Sequence, residues 1–169
     1  MRIETPKLWL PRTGQTTSGY NGDDAYYKAG NPRLTRFIDN GNNTVTDRAT
    51  GLMHIKSLAA MGAPFNDVAN WEDTFDNIAT LNAAGYAGYS DWRMPNLWEG
   101  LSIADLSSST APSPFTDIGA LIWSSTLSPT ADYAMQYNDR WAGYMAYHRT
   151  KIGTLKTRLV RGGKLNANW

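Results

Sequence analysis

The sequence predicts an α+β fold in which two helices pack on antiparallel sheets that are joined by long loops. The chain has 169 residues, the usual length of one domain, and it is rich in glycine, tyrosine and tryptophan, which is typical of turns and short strands. A hairpin signal precedes two segments of helical periodicity, and β-prone segments follow them. No repeat of fixed period is visible, so we expect a single domain over residues 1–169.

The first third of the chain is predicted to hold an extended arm and a small sheet. Residues 1–35 show no sustained helix or strand period and are expected to form the arm, with turns at Asn21-Gly22 and Asn31-Pro32. Asn40-Gly41 lies between two β-prone runs, which is a strong hairpin signal. Residues 51–55 predict the next strand.

A first helix is predicted to begin after Asn70. Apolar residues recur at helical spacing from Trp71 onward, Asn70 is a suitable N-cap, and acidic residues occupy the first turn, where the helix dipole favours them. Gly85 and Gly88 are expected to end this helix.

A second helix and a group of strands complete the predicted fold. The second helix is expected to begin near Asn96 and to close by Leu106, before a loop over residues 107–114. The remaining β-prone segments predict antiparallel strands at 120–126, 133–137, 143–149 and 157–161, and we expect residues 164–169 to form a flexible tail.

The charge of the chain is small but unevenly distributed. The formal net charge is +1, yet residues 66–105 contain seven acidic residues against Arg93 alone. After Asp139 the chain contains seven basic residues and no acidic one. This asymmetry can attract an anionic partner such as a sulfated glycan, and a solvated basic sheet face balanced by acidic helices explains it equally well.

Six short segments, recurring in order, carry a resemblance to a known family. The segments are LPRTGQT (10–16), DNGNNTVTD (39–47), TGLM (50–53), AGYSDWRMPN (87–96), WSST (123–126) and RLVRGG (158–163). With them the chain resembles the collagen-like adhesin C-terminal domain (Lcl C-terminal) family. The resemblance implies a C-type-lectin-like fold, as in bacterial surface adhesins, phage proteins and variable proteins diversified by retroelements, together with trimers and glycosaminoglycan or cell-surface ligands.

The chain departs from the pattern of that family in two ways. Many members carry cysteine in the first helix and the last strand, whereas this chain has no cysteine and Leu159 stands in the final motif. Packing is therefore expected to replace a disulfide, which would contribute about 2 to 4 kcal/mol. His54 occupies a position where the family usually has tryptophan, and Ser57 and Trp98 are also atypical.

The strongest candidate for ligand contact is the segment 138–149. Aromatic residues and arginine among small residues are typical of recognition surfaces, and the late strands form the ligand face in lectin-like folds. The alternative is that half of these side chains pack in the core on alternate strand positions. The basic residues beside the segment, Arg149, Lys151, Lys156 and Arg158, could bind anionic groups. The predicted ligand-binding residues are Trp141, Tyr144, Met145, Tyr147, His148, Arg149, Lys151 and Trp98, whereas Trp71, Trp92 and Trp123 are expected in the core.

Metal binding and catalysis are not expected. Asp23-Asp24 and the set Asp39, Asn42 and Asp47 offer oxygen ligands for calcium, but the second set lacks a complete calcium loop and a hairpin explains it. We therefore expect no cofactor. His54 and His148 are the two histidines of the chain, and no catalytic motif accompanies them. Thiol chemistry is excluded because cysteine is absent.

These observations favour a non-catalytic ligand-recognition module of the adhesin or receptor-binding type. Its expected partner is a cell-surface protein or an anionic glycan, with no nucleic acid and no membrane insertion, and a homotrimer is compatible with the resemblance. Residues 1–10 contain no apolar run of signal-peptide length, and we expect the protein outside the cell, on its surface or in a virion. The alternative is a structural or decoration subunit of a virion or surface filament.

Overall fold

The computed structural model describes residues 12–30, 36–104, 114–117, 119–139 and 147–163. Within these ranges the chain forms two antiparallel sheets, of four and three strands, and three α-helices, so the predicted α+β class is confirmed. The elements in chain order are α1 (Asp24–Tyr27), β1 (Phe37–Asp39), β2 (Thr44–Asp47), β3 (Leu52–Ile55), α2 (Trp71–Ala83), α3 (Leu97–Leu101), β4 (Leu121–Leu127), β5 (Tyr133–Asn138), β6 (Tyr147–Thr150) and β7 (Val160–Gly162).

The first sheet has the strand order β1-β2-β3-β7. The predicted hairpin is present between β1 and β2, and at its reversal Gly41 and Asn43 have φ angles of 79° and 63°, a region that favours glycine and asparagine. The final strand β7 pairs with β3, with Arg161 opposite Met53. The last strand therefore closes the first sheet instead of continuing the late group of antiparallel strands.

Helix α2 confirms the first predicted helix. The side chain of Asn70 accepts a hydrogen bond from the backbone N–H of Asp73 at 2.8 Å, so Asn70 is the N-cap. One face buries Ile78 and Leu81 in the main core. The helix ends just before Gly85, whose φ of 66° is the left-handed conformation expected after a helix.

Helix α3 confirms the second predicted helix but is shorter than predicted. Asn96 and Glu99 form a reciprocal capping box at its start. Ala104 is not helical, so the prediction of a longer helix is wrong. The chain turns inward after α3 because Ile103, only 1% exposed, is buried in a small cluster with Phe115.

The second sheet has the strand order β4-β5-β6 and confirms the predicted strands around residues 120–126 and 133–137. The register of β4 and β5 is irregular between Trp123 and Leu127. The third predicted strand began at residue 143, but residues 140–146 lie outside the described residues, and strand β6 is described from Tyr147.

The main core lies between the helices and the two sheets. Trp92 and Trp123 are buried, as predicted, and Trp71 is half-buried against the same cluster, with its indole N–H donating to the carbonyl of Ser124 at 2.9 Å. Leu159 is also part of this core, at 3% exposure. An apolar side chain thus packs at the position where the sequence resemblance implies a cysteine.

The described part of the arm, residues 12–30, contains the predicted turn at Asn21-Gly22. It also contains one short helix, α1, which the sequence reading missed. Asp23 caps this helix by accepting the N–H of Tyr26, and the same bond, with smaller help from other donors, lowers the pKa of Asp23 to about 2. The predicted turn at Asn31-Pro32 and the tail at 164–169 lie outside the described residues.

Candidate functional site

The candidate segment 138–149 connects β5 to β6. Trp141, Tyr144 and Met145 lie outside the described residues, and for Tyr147 the structure describes the backbone alone. The described surroundings are the end of β5, strand β6 and the turn that follows it. These elements define where the connection leaves the second sheet and where it returns.

His148 lies on an exposed face of strand β6. It is directly opposite Met135 of β5, and its ring contacts the ring of Tyr133 with the centroids 4.9 Å apart. Directly opposed residues of an antiparallel pair share one face of the sheet, as do residues two apart on a strand. Tyr133, Met135 and His148 therefore form one partly exposed surface, which we call the β5–β6 face.

Trp98 lies on the helix that covers the same side of the second sheet. Gly100 of α3 packs directly on the ring of Tyr137, because a β-carbon placed at Gly100 would lie 2.4 Å from that ring. Tyr137 is two residues from Met135 on β5 but is fully buried, so the helix covers this end of the strand. Trp98 is 77% exposed and lies two residues from Gly100, on a part of α3 that turns away from Tyr137.

Arg149 does not lie with His148. It is opposite Ala134, so it belongs to the other face of β6. Its guanidinium packs against the turn at Gly153, where an added β-carbon would meet Nε at 2.3 Å. Nε has no hydrogen-bond acceptor among the described residues. The structure therefore separates two residues that are adjacent in the predicted site.

Lys151 lies beyond β6 and packs on helix α2. Its Nζ is 5.1 Å from the ring centroid of Trp71, a cation–π contact, and its backbone carbonyl accepts the N–H of Trp71. Glu72 and Asp132 border the same depression in the surface. The surroundings of Lys151 are thus more acidic than its place in a basic stretch of sequence indicates.

Arg158, one of the basic residues that could bind an anionic group by sequence, is instead a buried structural residue. Its side chain is fully buried and forms an ion pair with Asp139, which is also fully buried, at 3.1 Å. It donates further hydrogen bonds to the carbonyls of Ile55, Lys56 and Thr116. Because Arg158 turns inward, the predicted strand over residues 157–161 is regular only from Val160.

Arg161, another basic residue of this stretch, is also paired within the fold. Arg161 forms an ion pair with Asp91 at 2.6 Å and stacks over the ring of Tyr89, with Cζ 3.7 Å from the ring centroid. The hydrogen bonds from Arg161 lower the pKa of Asp91. The local excess of positive charge in the sequence is therefore smaller on the molecular surface.

The carboxylates that were weighed as calcium ligands have other roles. Asp47 is fully buried and binds the guanidinium of Arg36 through both oxygens, at 2.7 and 2.6 Å. Burial raises the pKa of Asp47, but the hydrogen bonds and charge of Arg36 outweigh burial and hold that pKa below its ordinary value. Asp39 pairs with Lys56. Among the described residues, no cluster of three or more histidine, cysteine or acidic side chains can hold a metal ion.

The two remaining atypical positions serve the fold. His54 is 1% exposed in the first sheet, and its ring meets that of Phe115 edge-on at 5.9 Å. Burial lowers the pKa of His54 to about 4, against a smaller opposing effect of Asp47, so the ring is neutral at pH 7. The hydroxyl of Ser57 donates a hydrogen bond to Asp117, which fixes the loop after β3.

The sequence reading missed the polar residues that position the candidate segment. Asp139 accepts the backbone N–H of Gly119 as well as the guanidinium of Arg158, so it fixes the chain directly before residue 140. Single charged residues of this kind resemble surface residues in sequence. The neighbours of Asp139 in sequence, Asn138 and Arg140, are polar, so no local pattern indicates its burial.

Comparison with known proteins places the chain in a family. A search of curated proteins finds no match. A model of the Lcl C-terminal domain family matches residues 43–161, which is most of the chain and includes helices α2 and α3 and strands β2 to β6. The predicted family is thereby confirmed, although the segment 10–16 lies outside the matched residues. The chain belongs to the Lcl C-terminal domain family.

Proposed function

We propose that the chain is a non-catalytic ligand-recognition module of the adhesin or receptor-binding type, with a C-type-lectin-like fold. The observation that carries this proposal is the buried ion pair between Asp139 and Arg158, which fixes the end of β5 directly before residues 140–146. The segment that follows Asp139 in sequence is rich in aromatic and small residues, a composition typical of recognition surfaces. Exposed Trp98 and His148 are further contacts in this proposal.

The lectin-like part of the proposal is supported by the path of the chain. Strand β7 returns to pair with β3, so the two ends of the family-matched region meet in one sheet. The second sheet lies between these ends in sequence and carries the candidate segment. Because the first sheet is closed by this pairing, the residues of the second sheet can vary without affecting it. This agrees with a variable protein diversified by retroelements.

A cell-surface protein fits this surface better than an anionic glycan. Arg158 is buried, Arg161 is paired with Asp91, and Lys151 lies beside acidic residues. Aromatic side chains with little conformational freedom are the usual centres of protein-binding surfaces. We propose that the protein acts outside the cell, on its surface or in a virion; within the described residues, no helix has the length and apolar character needed to span a membrane.

Binding to intact cells and to immobilised heparin tests the proposal. The Trp141→Ala/Tyr144→Ala variant should lose cell binding by tenfold or more, since aromatic residues dominate recognition surfaces. The Arg149→Ala/Lys151→Ala variant measures the contribution of the basic residues to binding, apart from that of the aromatic residues. Tyr20→Ala/Tyr27→Ala removes two exposed tyrosines from the arm and is the matched control. Heparin binding that depends on Arg149 and Lys151 would favour an anionic glycan instead.

The alternative function is a structural or decoration subunit of a virion or filament. Exposure of Trp98 also fits a contact between subunits. Sedimentation at increasing concentration distinguishes the two. Trimers that disappear in Trp98→Ala, without any binding to cells, would favour the structural subunit and contradict the recognition module.

A further inference from the structure

Ile152 is one of the most exposed large apolar side chains among the described residues. It is 87% exposed at the tip of the turn after β6. The turn is held in place by the backbone of Lys151, whose N–H donates to the carbonyl of Asp132 and whose carbonyl accepts the N–H of Trp71. Ile152 is thus presented to solvent on a rigid support, which lowers the entropic cost of binding a partner.

Two adjoining depressions flank Ile152 beside the start of α2, and both are bordered by Asn70 and Ile152. We call them together the acidic groove. Val68, 54% exposed, adds a second aliphatic side chain to its wall. Exposed aliphatic residues within a concave surface are typical of interaction sites.

Exposed acidic side chains surround these aliphatic residues. None of them forms an ion pair within the described part of the chain. Among the described residues, Lys151 is the basic residue that borders the groove, and it packs on Trp71. The described residues hold no acidic cluster compact enough for a metal ion. Because these carboxylates are distributed around the groove, they are complementary to a partner whose positive charges are also distributed along its length. The acids are Asp67, Glu72, Asp73, Asp76 and Asp132.

We infer that the acidic groove is a second docking surface, and that its partner is a polypeptide segment carrying both lysine or arginine and aliphatic side chains. Aliphatic contact with Ile152 and Val68 supplies the apolar part of the interface, and the carboxylates supply orientation and faster association. The inference stands on residues 67–76, Asp132 and residues 150–154. It is therefore independent of ligand binding by residues 140–146.

A labelled peptide tests this inference on the full chain. The probe is a short fluorescein-labelled peptide of lysine, leucine, glycine and serine, and its two matched peptides carry glutamate in place of lysine or serine in place of leucine. Fluorescence anisotropy should show binding of the first peptide and at least tenfold weaker binding of the other two. Binding should also weaken as salt is raised, because surface charges are screened.

Variants of the groove locate the site. Ile152→Ser and Glu72→Gln/Asp76→Asn should each weaken peptide binding about tenfold, with circular dichroism unchanged because these side chains are exposed. Asp24→Asn/Asp39→Asn removes the same charge away from the groove and should leave binding unchanged, as should Trp141→Ala/Tyr144→Ala.

Three results would overturn the inference. The first is equal binding of the lysine and glutamate peptides. The second is peptide binding that survives both groove variants or is lost in the Trp141→Ala/Tyr144→Ala variant. The third is dimerisation of the chain alone that disappears in Ile152→Ser, because a second copy of the chain would then be the occupant of the groove.

Discussion

Polar residues are placed in opposite ways in two parts of this molecule. In the first sheet, Asp47 of β2 pairs with Arg36 at zero side-chain exposure, and His54 of β3 is also buried. In the second sheet, β5 buries Gln136, whereas the outer strand β6 exposes His148. Buried charges hold loops in position and tolerate little change, whereas exposed residues at a strand edge are available to a partner. We therefore propose that the buried residues of both sheets form the support, and that the exposed side of β6 belongs to the display surface.

Removing Arg158 should give the largest loss of stability. Arg158→Met leaves the buried carboxylate of Asp139 without its cation and should lower the free energy of unfolding by about 4 kcal/mol. Urea denaturation measures this change. Asp91→Asn breaks the exposed pair with Arg161 and is the control, with an expected loss below about 1 kcal/mol. Similar losses in the two variants would contradict the contrast between buried and exposed pairs.

Acid should destabilise the protein through His54. The unfolded chain binds a proton at His54 below about pH 6.5, whereas the folded chain keeps this ring neutral down to about pH 4. The unfolded state thus holds more protons in this window, and the free energy of unfolding should fall by about 3 kcal/mol as the pH drops from 6.5 to 4. Thermal denaturation across this range, compared with His54→Leu, measures the effect. An unchanged slope in His54→Leu would show that another group is responsible.

Gly100→Ala should weaken the packing of α3 on the second sheet. Alanine favours a helix by about 1 kcal/mol over glycine, but here its β-carbon would overlap the Tyr137 ring, and overpacking costs about 1 to 3 kcal/mol. We expect a net loss of about 1 kcal/mol in urea denaturation. In Gly100→Ala/Tyr137→Leu the two losses should be less than additive, because the smaller side chain leaves room. Full additivity would mean that the two residues are not in contact.

Local signals in the sequence predicted the elements but not their assembly. The Asn70 cap and the Asn40-Gly41 reversal act over a few residues, so α2 and the hairpin could be predicted. The pairing of β7 with β3 joins strands about a hundred residues apart, and no local pattern encodes it. For the same reason the burial of Arg158 was missed, since its partners come from distant loops.

The candidate site could be predicted only as a segment. Alternation along β6 sends His148 and Arg149 to opposite faces, but the register that decides which face is exposed depends on the pairing with β5. The prediction therefore grouped two residues that the fold separates. Trp98 is exposed, and its part in ligand binding stays a prediction.

A display experiment tests the division into support and display surface most directly. Trp98, Trp141, Tyr144 and His148 are randomised together in one library, and His54, Trp123, Asp139 and Arg158 in a second library of equal size. Each library is sorted for resistance to protease and then for binding to cells. We predict that most members of the first library stay folded and differ in binding, whereas few members of the second stay folded. Equal loss of folded protein in both libraries would contradict it.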